Sequence, residues 1–483
     1  MNKIKYMITL ALMSLLFSGC GDKGYGTQEI TVVPSVTSSE PVRIVDAIPH
    51  DGGLVAQRAF INVAFSSYID QSSVNRSTVR LLDVNSSHEV SIAFYTIRNF
   101  IFVKPLESLV DGESYQLKIE GLKDIFDNDL AQSYALSFRC ESDFWETVYA
   151  GDVNSMAKSK AGDLYIWGSN APLPIDTTEK ESVYLTIEMP MPIPNLPEVQ
   201  SFSTNTYDMA VITKEGGLMV IGAHAYSDLE AEDYLSVRVG SGHIVVLKKD
   251  GTIFSWGSNV KGQLGVIKIF DQSEPIQEAS EDDNWTMVSA QGDFTVALKK
   301  DGTLWAWGDN LYGQAGGTYE RVLLPKEINT TSTSVSVWEK VSAGYAHGVA
   351  IGRDKTLWSW GSNSDGELGD GTYIKSSTPQ QEDSAKKWLH ADAGYGHTLA
   401  ISDVNDTLWS WGKNSSGQLG DDSTVSSNVP REISGGWQGV SAGNNYSLGV
   451  KKDGTLWAWG TNFGLRLGVG PDVAGSSVPM EVR

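Results

Sequence analysis

A repeated hairpin pattern is the sequence feature that most restricts how this chain can fold. In its clearest copy, residues 440–462, one apolar run ends in Asp453-Gly454 and a second ends in Trp459-Gly460. Asp-Gly between two apolar runs is the strongest short-range indication of a β-hairpin, because a type I′ turn requires positive φ at both central positions. The same pattern recurs upstream, so much of the chain has to form a series of similar hairpins.

Seven copies can be counted from the glycine that closes each hairpin. The successive spacings are 54, 35, 51, 53, 51 and 48 residues, between Gly168, Gly222, Gly257, Gly308, Gly361, Gly412 and Gly460. A tryptophan precedes six of these glycines, and Ile221 takes its place in the second copy. A period of about 50 residues indicates a solenoid, propeller or array, and short strands rich in Gly and Trp favour a β-propeller with one sheet per blade.

Each full copy has four parts in a fixed order. It opens with W-x-x-V-x-A-G, continues with D-G-T-L-W-A-W-G and N-x-x-G-Q-L-G, and closes with P-x-E-[IV]. These motifs resemble the regulator of chromosome condensation repeat family over residues 145–483. Kelch repeats have a similar period, but the Gly-Gly pair that marks them does not recur here. The resemblance implies a seven-bladed β-propeller, which agrees with the seven copies counted.

The first two copies depart from this pattern. Copy one lacks G-Q-L-G and carries a proline-rich insert, and copy two is short and lacks the Trp-Gly pair. An insert of that length in a compact repeat is more often functional or mobile than neutral. The chain ends just where an eighth tryptophan would begin, so we expect Val478–Val482 to pair in the sheet of the strand that follows Trp145 and to close the ring without an open edge.

The N-terminus has the pattern of a lipoprotein export signal. Lys3 and Lys5 precede an apolar run, residues 6–17, that is too short to span a membrane stably. It ends in L-F-S-G-C, which resembles the bacterial lipobox, although Phe17 stands where Leu is usual. The resemblance implies that residues 1–20 are a lipoprotein signal peptide and that Cys20 is lipidated. An ordinary secretory peptide with an incidental cysteine is the alternative.

Two further segments precede the repeats. Residues 21–40 are rich in Gly, Ser and Thr and predict a flexible tether. Residues 41–140 alternate apolar and polar side chains in short runs separated by turn residues such as Asp111-Gly112, which predicts a β-sandwich. The order of F-S-x-x-I-D, S-T-V, L-x-x-G-x-x-Y and D-x-x-x-N-x-L resembles the bacterial Ig-like domain of surface-layer and adhesive proteins. Such domains usually act as spacers.

Composition and motifs exclude several functions. The formal net charge is −22 and no Lys/Arg cluster exists, which disfavours nucleic-acid binding. If Cys20 is lipidated, Cys140 is alone and no intramolecular disulfide can form. His243, His347 and His397 share one repeat position that elsewhere holds Asn154, Asp208, Phe294 and Tyr446, so this position is not a metal-ligand set. No catalytic motif or cofactor fingerprint is present, and we expect a non-enzymatic monomer without cofactor or metal.

Two variable loops in each copy are the candidates for a partner-binding face. They follow A-G and Trp-Gly, and on a propeller equivalent loops gather on one face or around the channel. The candidate residues are Asp293, Phe294, Leu311, Tyr312, Tyr345, Tyr395, Asn444, Asn445, Tyr446 and Phe463. Aromatic side chains dominate protein interfaces and also stack on sugars, so they suit a protein or glycan partner. The alternative is that each ring only packs on its own blade.

The combined prediction is an all-β cell-envelope lipoprotein, at the outer membrane or cell surface, whose propeller binds a protein or glycan. A second hypothesis is an inhibitor of a secreted or periplasmic enzyme, because a secreted beta-lactamase inhibitory protein has the same repeat fold. A guanine-nucleotide exchange activity, as in the eukaryotic founder of the family, fits an exported protein less well. An enzyme remains an open alternative, since fold does not fix function.

Overall fold

A computed structural model gives the fold of the chain. It describes residues 40–482 except 58, 177–180, 195, 229–232, 318–319, 331–334, 336 and 383–385, and also the short antiparallel pair Ile8–Thr9 and Thr31–Val32. Apart from that pair and Glu40, the predicted signal peptide with Cys20 and the predicted tether lie outside the described residues. Within the described ranges, no helix has the length and hydropathy needed to cross a bilayer.

The first domain is a sandwich of two sheets. Strands such as Ser114–Ile119 alternate buried and half-buried residues, so one face of the sheet packs on the other sheet. Ile61–Phe65 and Phe100–Pro105 are buried on both faces. One sheet contains, in spatial order, Gly53–Val55, Tyr134–Cys140, Ser114–Ile119, Val79–Asp83 and Glu89–Val90, with a 3-10 helix at Gln71–Ser73. The other contains Ile44–Ile48, Ile61–Phe65, Phe100–Pro105 and Ile92–Ile97.

Seven antiparallel four-stranded sheets follow, one for each repeat, and each is built from four consecutive strands. The strands of blades 1 to 4 are Trp145–Ala150, Asn154–Ser159, Leu164–Asp176 and Glu181–Pro192; Val199–Thr204, Asp208–Thr213, Leu218–Gly222 and Tyr226–Asp228; Tyr234–Val239, His243–Lys248, Ile253–Gly257 and Gln272–Gln277; and Trp285–Gln291, Phe294–Lys299, Leu304–Asp309 and Arg321–Glu327. Those of blades 5 to 7 are Trp338–Ala343, His347–Gly352, Leu357–Gly361 and Ser376–Gln381; Trp388–Ala393, His397–Ser402, Leu408–Gly412 and Ser427–Ser434; and Trp437–Ala442, Tyr446–Lys451, Leu456–Thr461 and Gly475–Glu481, with a 3-10 helix at Phe463–Leu465. The prediction of an Ig-like sandwich followed by a seven-bladed propeller is confirmed.

The predicted closure of the ring by the C-terminal strand is wrong. Gly475–Glu481 pairs with the third strand of its own blade, and the strand that starts at Trp145 pairs with Asn154–Ser159. The reason is that each repeat forms a whole blade, since the proline-rich insert provides blade 1 with its own fourth strand. Blades 7 and 1 instead meet side by side, with Trp145 N–H donating to the Gly454 carbonyl at 2.9 Å.

The tryptophan that closes each hairpin ties its blade to the preceding one. Trp459 is fully buried, and its Nε1–H donates to the Gln418 carbonyl oxygen of blade 6 at 2.9 Å. The G-Q-L-G motif supplies this acceptor and also the space, because a Cβ on Gly420 would lie 2.9 Å from Trp459 Nε1. Equivalent bonds join Trp167 to Arg466, Trp307 to Gln263, Trp360 to Gln314 and Trp411 to Glu367.

The junction between blades 1 and 2 lacks this contact. Blade 1 has no G-Q-L-G motif, and blade 2 has Ile221 where the indole donor would stand. Blade 2 also lacks the motif but supplies another acceptor, since Trp256 Nε1–H of blade 3 donates to the His224 carbonyl at 3.1 Å. A buried indole N–H without an acceptor would be destabilising, whereas an isoleucine needs none. The missing G-Q-L-G motif of blade 1 and the missing tryptophan of blade 2 therefore belong to the same junction between blades.

The Ig-like domain is packed against the propeller. Phe60 N–H donates to the Pro190 carbonyl at 3.4 Å, and Lys104 forms an ion pair with Glu188, both on the outermost strand of blade 1. That strand buries Ile187, Met189 and Met191 in an apolar cluster that includes both domains, whereas the fourth strands of blades 3 to 7 are half-buried or exposed at nearly every position. The unusual sequence of the first copy thus fits a strand that another domain covers.

Candidate functional site

The alternation of strand direction divides the connections of each blade between two ends of the propeller. We call one end the loop face. Its inner loops connect the first and second strands of each blade and comprise residues 151–153, 205–207, 240–242, 292–293, 344–346, 394–396 and 443–445. Its outer loops connect the third and fourth strands of blades 2 to 7 and comprise residues 223–225, 258–271, 310–320, 362–375, 413–426 and 462–474. The other end, the turn face, carries the Asp-Gly turns and the connections between blades. Gly162 and Gly454, which lie in such turns, border the Ig-like domain and its linker. The loop face is therefore the end remote from that domain.

Exposed apolar side chains concentrate on the loop face. Among the propeller residues whose burial is described, eighteen large hydrophobic residues are exposed. Thirteen of them lie in the inner or outer loops: Tyr207, Val260, Ile267, Ile269, Phe270, Leu311, Tyr312, Tyr345, Tyr373, Ile374, Tyr395, Val425 and Phe463. Scattered exposed hydrophobic residues are normal on a monomer, but accumulation on one end marks an interaction site. Among the described residues of the Asp-Gly turns and their equivalents on the turn face, Val404 is the one comparable residue.

The structure separates the ten predicted face residues into two groups. Leu311, Tyr312, Tyr345, Tyr395 and Phe463 are exposed, and Asp293, Asn444 and Asn445 are half-buried. Phe294 and Tyr446 are fully buried, so their assignment to an exposed face is wrong. Each is the first residue of a second strand and points between two blades instead of into solvent.

The buried position that follows each inner loop connects neighbouring blades. His347 Nε2 lies 3.0 Å from Thr398 Oγ1, which donates its own proton to the Glu367 carbonyl at 3.0 Å. The threonine oxygen must therefore accept, so the imidazole carries its proton on Nε2, and Nδ1 is buried without a partner. His243 with Thr295 and His397 with Ser447 repeat the arrangement, and Tyr446 with Ser155 replaces it between blades 7 and 1.

Burial keeps these histidines neutral. It lowers the pKa of His347 to about 4 and those of His243 and His397 to about 3. At the junction of blades 4 and 5, both partners are replaced. Phe294 stands in blade 4 at the histidine position, and Gly348 stands in blade 5 at the position of the threonine or serine hydroxyl. The substitution of both partners at one junction supports a structural role for the position.

The buried histidines predict a loss of stability in mild acid. Because their folded pKa values lie below the unfolded value of about 6.5, the unfolded chain binds more protons, and stability falls as pH drops from about 6.5 to about 4. For His347 the full loss is on the order of 3 kcal/mol. The double variant His347→Phe/Thr398→Gly copies the blade 4–5 junction and should show a smaller fall in urea midpoint between pH 7 and pH 4.5. An equal fall in both proteins would show that this histidine does not carry the effect.

A stacked tyrosine pair stands at the inner edge of the loop face. The rings of Tyr345 and Tyr395 are 4.2 Å apart at an angle of 26°, and the Lys413 ammonium lies 5.5 Å from the Tyr395 ring centre. Backbone bonds hold both loops, since Tyr345 N–H donates to Gly394 O at 3.1 Å and Tyr395 N–H donates to Gly443 O at 3.2 Å. The pair is a rigid, partly exposed aromatic surface that loses little entropy on binding.

Charged groups border this pair on the side of blade 4. Asp309 forms an ion pair with Lys261 at 2.9 Å and accepts from Gln314 Nε2 at 2.7 Å. Burial, together with the nearby Asp309 carboxylate, raises the pKa of Asp293. Burial, followed by Tyr395 and Asp293, likewise raises the pKa of Tyr345. The surface therefore combines aromatic rings with two neighbouring carboxylates, Asp293 and Asp309, whose charge Lys261 balances only in part.

The proline-rich insert forms a β-ribbon that rises from the loop face. The third strand of blade 1 continues past Gly168, where the third strands of most blades end, and pairs with Glu181–Pro192. Proline removes a backbone donor, and here the second strand of the blade no longer runs alongside the ribbon. Tyr184 Oη donates to the Tyr207 carbonyl of blade 2 at 3.3 Å, so the ribbon leans over the neighbouring inner loop.

Sequence reasoning missed part of this surface. Ile267, Phe270, Tyr373 and Ile374 lie in outer loops beyond the G-Q-L-G motif, and all four are exposed. Their presence as apolar residues in otherwise polar loop segments could have indicated this part of the surface from the sequence. Among the residues that the structure describes, no group of three His, Cys, Asp or Glu side chains could hold a metal ion.

Seven consecutive four-stranded blades tied by tryptophans define a repeat-built β-propeller, a binding and regulatory fold. The RCC1-like domain family matches residues 226–483, more than half of the chain, and the chain belongs to that family. The bacterial Ig-like domain family matches residues 38–140.

Curated relatives match this chain over part of its length. The ultraviolet-B receptor UVR8 of Arabidopsis thaliana is 30% identical over 201 residues, which cover 41% of this chain and 45% of the receptor. The probable E3 ubiquitin-protein ligase HERC6 of Homo sapiens is 31% identical over 236 residues, which cover 46% of this chain and 23% of the ligase. The chain thus spans less than half the length of these relatives.

Solved structures with the same fold include yeast RCC1 (Prp20) bound to Kap60, at 18% identity and a TM-score of 0.56, covering 69% of this chain and 85% of that chain. A structure of Prp20p from Saccharomyces cerevisiae, described together with its binding to Gsp1p and histones, has 17% identity and a TM-score of 0.56, and covers 71% of this chain and 88% of that chain. At these identities the likeness concerns the fold alone.

Proposed function

We propose that this protein is a cell-envelope lipoprotein whose propeller binds a protein or glycan partner through the loop face. The observation that carries the proposal is the concentration of exposed apolar side chains on that face, around the rigid Tyr345–Tyr395 pair. The structural neighbour Prp20p is described with binding properties to Gsp1p and histones, which supports protein recognition by this fold. Protein recognition also needs large aromatic anchors in well-ordered loops, which this face has.

The position of the Ig-like domain supports the same face. The domain covers the outer edge of blade 1 and borders the turn face. If Cys20 is lipidated, the chain runs from the membrane through the Ig-like domain to the turn face. The loop face would then point away from the membrane, where a partner can reach it.

The location is tested by metabolic labelling with palmitate. Wild type should incorporate label and sediment with the membranes, whereas Cys20→Ala should do neither. Cys140→Ala is the matched control, because Cys140 is buried in the Ig-like domain and should leave labelling unchanged. Labelling that persists in Cys20→Ala would contradict the lipid anchor.

The binding face is tested with Tyr345→Ala/Tyr395→Ala and Tyr312→Ala in purified protein. These side chains are partly exposed, so we expect unchanged melting temperatures and a loss of retention of envelope proteins or glycans. Val404→Ala, on the turn face, should retain the same partners. Lost stability with intact binding would mean that the rings only pack on their own blades.

Inhibition of a secreted or periplasmic hydrolase is a second candidate that uses the same face. Its distinguishing result is stoichiometric inhibition of a hydrolase that co-purifies with wild type and not with Tyr345→Ala/Tyr395→Ala. Binding without inhibition would favour a plain adhesive or scaffolding role.

A further inference from the structure

The central channel contains a polar cavity of about 420 Å³. The first strands of blades 1, 4, 5, 6 and 7 line it, and Arg238 of blade 3 completes the wall. Two positively charged residues, Arg238 and Lys340, and two carboxylates, Glu146 and Asp392, line this space. Glu146 is paired with Lys158 at 3.0 Å.

One position of the first strands normally connects neighbouring blades along the channel. It is the residue before the alanine in W-x-x-V-x-A-G, and its side chain accepts a hydrogen bond from a backbone N–H of a neighbouring blade. The pairs are Ser203 with Val239 at 2.9 Å, Ser289 with Ala343 at 3.0 Å, Ser342 with Ala393 at 3.2 Å, Asp392 with Ala442 at 2.9 Å and Ser441 with Ala150 at 3.0 Å.

Blade 3 breaks this pattern because Arg238 stands at the position. A guanidinium has no lone pair to offer, so it cannot accept from Ala290 N–H of blade 4. Ala290 has the same place in its strand as Ala343, because Ala290 pairs with Thr295 and Ala343 pairs with Gly348. The N–H of Ala290 therefore points from the unpaired edge of its strand toward the channel, as the N–H of Ala343 does. Among the described residues, no side chain accepts from it.

Two other donors at this corner form no ion pair with a described residue. Within the described ranges, Arg238 Nη1 donates to the Val237 carbonyl at 2.8 Å, and Lys340 donates to the Leu389 carbonyl. Ser289 Oγ accepts from Ala343 N–H, and within the described part of the chain its own proton has no acceptor. Asp392, the carboxylate on the far wall, already accepts from Ser342, Ser441 and Ala442.

We propose that this corner of the channel binds a compact oxyanion, a carboxylate or phosphate group. The Arg238 guanidinium, the Ala290 N–H and the Ser289 hydroxyl are its donors, and Lys340 supplies a second positive charge. Charge-assisted hydrogen bonds of this kind are the strong ones. The overall negative charge of the chain acts against larger polyanions at long range, which favours a small ligand.

The test is calorimetric titration of the full chain with inorganic phosphate and, separately, with succinate at fixed ionic strength. We expect saturable binding of at least one of them and a loss of affinity of about tenfold or more in Arg238→Met. Arg353→Met is the matched control, because Arg353 is exposed on the turn face and should leave the affinity unchanged. Melting temperatures of both variants show whether the fold is intact.

The outcomes are distinct. Preference for phosphate or for succinate identifies which oxyanion chemistry the site takes. Equal affinity in wild type and Arg238→Met would show binding elsewhere and overturn the proposal, as would the absence of binding for both anions. None of these results depends on the loop face, so this site and the proposed partner-binding function can fail independently.

Discussion

A chain that starts at residue 141 and lacks the Ig-like domain should unfold at a clearly lower urea concentration than the full chain. The Ig-like domain contacts the outermost strand of blade 1, and Ile187, Met189, Met191 and Ile193 there are almost fully buried. Exposing even two of these side chains would cost on the order of 5 kcal/mol, at about 1.5–3 kcal/mol each. Retaining residues 141–144 keeps Phe144 against Trp145 and Tyr165, so the comparison isolates the domain.

Two substitutions in the full chain separate this contact from a general effect of truncation. Met189→Asp should lower the urea midpoint strongly, whereas Val478→Asp, on the exposed fourth strand of blade 7, should change it little. Binding of a hydrophobic dye to the truncated chain would report the uncovered strand. An unchanged midpoint in the truncated chain would mean that the Ig-like domain is an independent spacer, as the sequence alone suggested.

Replacing Trp411 with alanine is expected to destabilise the propeller by about 3–5 kcal/mol, because a fully buried indole leaves a cavity between two blades. Trp411→Phe keeps most of the ring but loses the bond from Nε1 to the Glu367 carbonyl at 2.9 Å, so we expect about 1–2 kcal/mol. Urea unfolding followed by tryptophan fluorescence measures both.

Trp409→Phe is the matched control for that bond. Trp409 belongs to the same strand, but its Nε1 is buried without a hydrogen-bond partner. Removing an unpaired donor should cost less than removing a paired one, and it should not weaken the contact between blades. If Trp409→Phe destabilises as much as Trp411→Phe, the bond between blades is not the cause.

The repeat pattern predicted the blades well because hairpins and their turn residues are local. In blades 2 to 7 the closing glycine is the last or the next-to-last residue of the third strand, and the period gives seven sheets in chain order. The predicted closure of the ring was wrong because it assumed that repeats and blades are offset along the chain. Each repeat forms one blade, and the proline-rich insert provides the fourth strand of blade 1 in place of the C-terminal strand. Local patterns carry no signal for that choice.

The site was predicted in part for a similar reason. Along one inner loop, Tyr345 is exposed while His347, two residues later, is buried between blades. In blade 7 the corresponding step separates half-buried Asn444 from buried Tyr446. Where an inner loop passes into the second strand, a shift of one or two positions moves a side chain from solvent to the junction between blades. Tyr345 and Tyr446 are the same residue type, so the sequence did not show that one is exposed and the other buried. The docking of the Ig-like domain depends on contacts far apart in sequence, which periodicity cannot show.

Site-specific photo-cross-linking in cells of the source organism shows which face of the propeller meets the partner. A benzophenone amino acid is placed at Tyr312 or Phe463 on the loop face, and at Val404 on the turn face, all of them exposed positions. We expect the same discrete adduct from both loop-face positions and none from Val404. An adduct from Val404 alone would place the partner on the turn face and rule out binding through the loop face.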